Sequence, residues 1–200
     1  MGNMCTVEDV KTRLGLSDTD YDDIITQIVG GVDSIFDQRT YRTLIAPVAA
    51  VTEYYSGLGY YLQLNRYPVI SIASITESYD YDFDNSTPLT VNQDYRQMNS
   101  GKNGILYKRL GGWLDAPDCI QVEYRGGFCA AGVAPGAGEH ALPDDLREAA
   151  IQQTSLIFKR RDDIGLTSHG FDGGSVDILQ SISLLAEVKE TLKHYRRPSL

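Results

Sequence analysis

The sequence predicts an α+β fold: a small α-helical core of about three to four helices, interrupted by an antiparallel β insertion of about five to six strands. Hydrophobic residues recur with a helical period over residues 1–44, and that period returns from Pro143 onward. Between Pro47 and about Arg125 the pattern changes to short β-favouring runs broken by Gly and Pro turns. The expected organisation is residues 1–44 as the N-terminal helical part of the core and residues 45–130 as the β insertion. Residues 131–200 then supply a linker and the C-terminal helices that complete the core. No internal repeat is present.

Thr6 is a good N-cap residue with Asp9 three positions on, and Gly15 is suited to stop the short helix they begin. Ser17 is expected to cap a longer helix whose first turns hold Asp18, Asp20, Asp22 and Asp23, carboxylates that favour the positive end of a helix dipole. Its apolar positions, among them Ile25, Val29, Val32 and Phe36, hold an i, i+3, i+4, i+7 spacing for four turns. Gly30 and Gly31 each weaken that helix by about 1 kcal/mol and suggest a close approach by another backbone. Five strand-like runs follow, at residues 51–55, 60–64, 69–77, 105–107 and 120–124, separated by turn-forming segments such as Ser56-Gly57 and Gly111-Gly112.

Residues 126–140 read as a small-residue linker. Pro143 suits a first helical position, and a helix over about 143–161 is expected to be buried on more than one side. Residues 162–178 read as a loop rich in Gly, Asp and Ser. A last helix over about 181–195 turns Leu184, Leu185, Val188, Leu192 and Tyr195 inward, with Lys189, Lys193, His194, Arg196 and Arg197 near its end.

Composition excludes several classes of function. The chain has 200 residues and a net charge of −9, which argues against tight DNA binding, since neutralising phosphates is the main source of such affinity. An acidic wall repels a duplex and lets it slide. No apolar run approaches the roughly 18–20 residues that cross a bilayer, and residues 1–16 lack the apolar stretch of a signal peptide. The expectation is a soluble protein made in the cytoplasm, with no membrane partner. The 13 Tyr against 5 Phe and 1 Trp fit surfaces that are wet before assembly and buried after it, although Tyr also simply favours strands.

The candidate chemical motifs are weak. Cys5, Cys119 and Cys129 are too few and too scattered for a disulfide framework, and Cys119, Cys129 and His140 lack the paired spacing of a zinc site. Asp80, Asp82 and Asp84 imitate the start of a calcium loop, but Asn85 stands where the loop needs Gly and Val91 where it needs Glu. The Gly-rich stretch 132–138 lacks the Lys-Ser/Thr of a phosphate loop, and Asp144 and Asp145 occupy the helix start beyond it. No nucleophile or zinc signature surrounds His140, His169 or His194. The reading is of a non-enzymatic protein with no catalytic, cofactor-binding or metal-ligating residues and no cofactor.

Three segments together resemble the bacteriophage head–tail connector (adaptor, or head-completion) family. They are residues 24–41 (IITQIVGGVDSIFDQRTY), residues 142–163 (LPDDLREAAIQQTSLIFKRRDD) with the Ile164-Gly165 that follows, and residues 184–198 (LLAEVKETLKHYRRP). The stretch VTEYYSGLGYYLQLNRYPVISIASIT is similar to the β insertion of the family's longer members. The resemblance implies a virion protein at the head–tail junction, a homo-oligomeric ring of about a dozen copies built from one repeated heterologous contact. Its partners would be further copies of itself, the portal protein above, and a downstream connector or tail protein below. DNA would pass through without tight binding.

Two sets of residues are the candidates for these roles. Asp18, Asp20, Asp22 and Asp23 are expected to face the channel. Ile164, Leu166, Phe171, Tyr195, Arg196 and Arg197 are expected to meet neighbouring subunits or the portal, because apolar groups in a Gly-rich stretch and two cations past the last helical turn suit docking. The alternatives are a β-sheet binding or decoration module of a virion, with a glycan or protein ligand on its Tyr-rich sheet, and a tail-completion protein.

Overall fold

A computed structural model describes residues 3–161, 168–171, 174–177 and 184–197. Four helices, α1 (Val7–Leu14), α2 (Asp22–Thr40), α3 (Asp144–Lys159) and α4 (Ala186–Tyr195), surround one hydrophobic core. Strands β1 (Val51–Tyr55), β2 (Tyr61–Gln63), β3 (Val69–Glu77), β4 (Tyr95–Gln97), β5 (Ile105–Lys108) and β6 (Ile120–Gly126) form two three-stranded sheets around a second core. A two-stranded ribbon, β7 (Ser168–Phe171) and β8 (Gly174–Asp177), lies between α3 and α4 in sequence. The α+β expectation holds.

Helix α1 forms as its sequence dictates. The Thr6 hydroxyl accepts from the Asp9 backbone N–H, and the Asp9 carboxylate accepts from the Thr6 N–H, so two otherwise orphaned donors are satisfied. Gly15 closes the helix in the left-handed region at φ 71°. Helix α2 corrects the expectation at its start. It begins at Asp22 after Tyr21, which makes no side-chain cap, so Ser17 caps nothing and Asp18 and Asp20 precede the helix. Only Asp22 and Asp23 occupy its first turn.

One stripe of α2, Ile25, Val29, Val32, Phe36 and Thr40, is buried, whereas Ile24 and Ile35 are exposed. Each large aliphatic or aromatic side chain fully buried there contributes about 1.5–3 kcal/mol. Gly30 and Gly31 lie on the open side. Among the described residues nothing stands within 4 Å of a Cβ built on either, so none of them makes the expected close backbone approach. Helix α3 packs on α1 and α2 through Leu146, Ala149, Ala150 and Phe158. Pro143 sits one position before its start. Leu184, Val188 and Leu192 close the core from α4.

The two sheets have orders β1-β6-β3 and β2-β5-β4, all antiparallel. The nine-residue β3 pairs with β6 across two irregularities, at Val69/Ser71 and Ile72/Ser74. Strand β4 and the β7–β8 ribbon are the elements missing from the sequence reading. Three residues inside a polar stretch carry no readable alternation, and the Gly and Asp content of 162–178 reads as loop. In sequence alone, Asp172-Gly173 is a dipeptide of the kind that favours hairpins.

The two cores meet at residues 42–46. The Leu44 carbonyl accepts from Phe128 N–H and the Ala46 N–H donates to the Phe128 carbonyl, both at 2.8 Å. This close crossing needs Gly127, whose φ is 117° and where an added Cβ would stand 2.7 Å from the Ala46 nitrogen.

Candidate interaction surfaces

The two ends of α2 carry opposite charge. At its N-terminal end Asp18, Asp20 and Asp23 are exposed. Asp22 is half-buried, because Lys11 of α1 reaches it at 3.0 Å and pins the α1–α2 corner. Of the four aspartates singled out in the sequence, three therefore present free carboxylates and the fourth is held inside an ion pair. Two more ion pairs tie α1 to α3: Asp9 receives Arg147 through both oxygens, at 2.6 and 3.1 Å, and Arg13 meets Glu148. Hydrogen bonds from Arg147 and from Thr6 hold the Asp9 carboxyl below its ordinary value, against burial, the largest influence, which acts the other way.

At the opposite end, Arg39 of α2 with Tyr41 just past it, and Lys189 and Lys193 of α4 with Arg196 just past it, border an open cleft of about 180 Å³ that Leu192 also lines. All four cations are exposed. Lys193 pairs with Glu190 at 2.6 Å, and the Arg196 guanidinium lies 4.8 Å from the centre of the Tyr41 ring. Arg39 and Lys189 have no ion-pair partner among the described residues. The sequence marks Lys189 and Lys193 as cations near a helix end and Arg196 also as a candidate interface residue. It could not bring Arg39, some 150 positions earlier, to the same cleft.

The other expected interface residues are divided. Ile164 and Leu166 lie outside the described residues. Phe171 ends β7, opposite Gly174 in the ribbon register. Tyr195 is half-buried, with its hydroxyl donating to Asp145 at 2.6 Å and its ring edge-on to Phe128. Arg197 is committed inside the chain: its guanidinium donates to the Asn65 side-chain oxygen at 2.5 Å and to the Gln63 carbonyl at 2.8 Å, and its N–H donates to the Thr40 carbonyl. It fastens the end of α4 to the β2 side of the molecule. Only Arg196, among the last three, presents its charge to solvent.

The tyrosines also divide. Tyr54, Tyr60, Tyr61, Tyr79 and Tyr81 are about half exposed or more, while Tyr55, Tyr67, Tyr95 and Tyr124 are buried. Tyr61 and Tyr107 are cross-strand partners with centroids 5.4 Å apart, and Arg96 is the next partner on the same face, which makes an aromatic and cationic row across the smaller sheet. The buried pair Tyr55 and Tyr124 serves structure. Both hydroxyls donate to Oε2 of Glu53, at 2.5 and 2.7 Å, and Arg66 holds Oε1 at 2.9 Å.

The three cysteines are buried and separate. Burial pushes the Cys5 thiol up to about 12. Cys119 donates to the Leu114 carbonyl and Cys129 to Glu139. In the acidic turn, Asp80 accepts from Ser78 and Asp82 accepts from Asn85, so these carboxylates are spent on their own loop. Among the described residues no helix is long and apolar enough to cross a membrane.

No protein-family model matches the chain, and no curated protein matches it in sequence. Solved structures share its fold. A chain from the neck of the empty GTA particle computed with C6 symmetry aligns with TM-score 0.59 at 15% identity, covering 97% of this chain and 90% of that one. A chain from the neck of the native particle computed with C12 symmetry aligns with TM-score 0.57 at 15% identity, covering 97% and 89%. A chain of the virion of the native gene transfer agent (GTA) particle gives TM-score 0.58 at 15% identity, covering 96% and 89%. The likeness is one of fold, and it spans helices and sheets together.

Proposed function

We propose that this chain is a non-enzymatic structural subunit of the neck of a phage-like particle, a head–tail connector that works as one copy in a ring. The observation that carries the proposal is the fold shared over 97% of the chain with neck chains of gene transfer agent particles. The sequence resemblance to head–tail connectors points the same way independently. Those necks were computed with C6 and C12 symmetry, which accords with about a dozen copies related by one repeated contact. In this reading one face of the ring docks under the portal and the other receives the next connector or tail protein. The net charge of −9 keeps the wall from adhering to DNA.

Negative-stain microscopy of the purified protein, with and without the portal of its own particle, tests this. Rings seated coaxially on the portal are expected, from a free protein that is monomeric or weakly associated. A tight two-fold dimer that ignores the portal would sink the reading. A mobility-shift assay at about 0.05–0.2 M salt is expected to show no binding of duplex DNA, because an acidic surface releases few counterions.

The row of exposed Tyr61, half-buried Tyr107 and exposed Arg96 favours a second reading, a virion decoration module that holds a ligand on its smaller sheet. That module would be a stable free monomer whose melting temperature rises with a glycan or protein ligand.

A further inference from the structure

The charges of α2 are segregated along its length, and the segregation has the form that a head-to-tail contact requires. The helix has 19 residues and so runs about 28 Å. One end carries the exposed carboxylates of Asp18, Asp20 and Asp23. The other carries the cleft bordered by Arg39, Lys189, Lys193 and Arg196. In a chain of net charge −9, four cations around one cleft are a local reversal of sign. Two of them, Arg39 and Lys189, have no ion-pair partner among the described residues, so the cleft is not neutralised from within.

We infer that the basic cleft at the α2–α4 end is a docking site for the acidic 18–23 segment of a second copy of this chain. The inference rests on the ring reading above and gives that ring its repeated contact. A closed ring needs two different surfaces of one chain that fit each other, and opposite charges at opposite ends of one rigid helix supply such a pair. An antiparallel two-fold dimer would pair the same two ends reciprocally but would close at two copies, so association beyond the dimer is what separates it from a ring. Charge pairs at the rim of a contact mainly set register and encounter rate, and they weaken as salt screens them. Such a contact suits a subunit that associates only weakly when free and closes into a ring when its particle gathers it. Duplex DNA is the competing occupant of a basic cleft, and the carboxylates over the rest of the surface oppose it.

The test uses charge reversal in the full chain. One variant carries Arg39→Glu and Lys189→Glu, the other Asp20→Lys and Asp23→Lys. All four positions are exposed, so unchanged melting temperatures are expected. Sedimentation velocity at high protein concentration is run at about 0.05 and 0.5 M salt. The wild-type chain should associate beyond the dimer at low salt and at least tenfold more weakly at high salt. Each variant alone should stay monomeric, because each then opposes like charges. An equimolar mixture of the two should associate again, because each acidic surface once more finds a basic one.

Association of either variant alone at wild-type strength overturns the inference and leaves the ring reading standing, with its contact elsewhere. A wild-type chain that remains monomeric throughout also overturns it, while portal-dependent rings can still form. A closed dimer as the sole associated species sinks both. Binding of a short duplex that Arg39→Glu with Lys189→Glu abolishes would assign the cleft to DNA and overturn the inference.

Discussion

The guanidinium carbon of Arg42 lies 3.5 Å from the centre of the Tyr67 ring, and the same guanidinium donates to the Tyr67 carbonyl. Arg42 follows the last turn of α2 and Tyr67 precedes β3, so this one stacked pair joins the helical core to the sheets. Phe128 flanks it, with its ring centre 5.6 Å from the guanidinium carbon. Arg42 is only 7% exposed, so its cation is separated from water and depends on these partners.

Replacing Arg42 with Ala should lower stability by about 2–4 kcal/mol, through lost packing along the side-chain stem and a broken joint. Arg42→Lys should not restore it, since an ammonium lacks the planar face that stacks on Tyr67. Urea unfolding checks both. A transition that splits in two would further show that the two cores unfold separately once the joint is gone.

Glu53 should be acid-sensitive. Burial, the largest influence, pushes its carboxyl up, but the hydroxyls of Tyr55 and Tyr124 and the Arg66 guanidinium together hold it below the ordinary value. A depressed folded value means stability that is full above the unfolded value and is lost as pH falls through the folded one. Glu53→Gln should therefore cost about 1–3 kcal/mol at pH 7, because the amide offers donors where four donors, the Asn65 Nδ2 among them, converge. The cost should shrink at the acid end of a melting-temperature series.

Asp33 should show the opposite sign. Its Oδ1 accepts from the Met4 N–H at 3.2 Å while its Oδ2 is buried with no hydrogen-bond partner among the described residues. Burial pushes this carboxyl up to about 7, and the nearby Asp37 charge adds to the rise. The folded state then holds a proton that the unfolded chain releases near pH 4, so this group's stabilising share is lost as pH rises from about 4 through 7. Asp33→Asn keeps the acceptor for Met4 and removes the titration. It should match the wild type near pH 4 and exceed it by about 1–3 kcal/mol at pH 8. Equal slopes of stability against pH in the two proteins would refute the assignment.

Gly30→Ala and Gly31→Ala should each stabilise the isolated chain by about 0.5–1 kcal/mol, since both positions are helical, exposed and open. Calorimetry reads this directly. A loss of stability at either would mean that another part of the chain does approach that face.

What the sequence by itself determined was local. The capping box at Thr6 and Asp9, the stop at Gly15, the buried stripe of α2 and the bounds of β1 and β3 follow from residues within a few positions of one another. Capping, periodicity and alternation act at that range, and so they could be read. Sequence alone misplaces the start of α2 because Ser17 and the four aspartates after it imitate a capped helix start, whereas the helix begins at Asp22 after Tyr21, which makes no side-chain cap.

The tertiary structure alone decided what distant residues do together. Sequence marked Arg197 as a cation free to meet a neighbour, yet Asn65 and Gln63 arrive from the β insertion to take it up. It gave no sign that Arg42 would be buried under Tyr67, or that Arg39 would join Lys189 across one cleft. A charge's role depends on which partners and how much water surround it, and that is settled only when the two cores close against each other at residues 42–46.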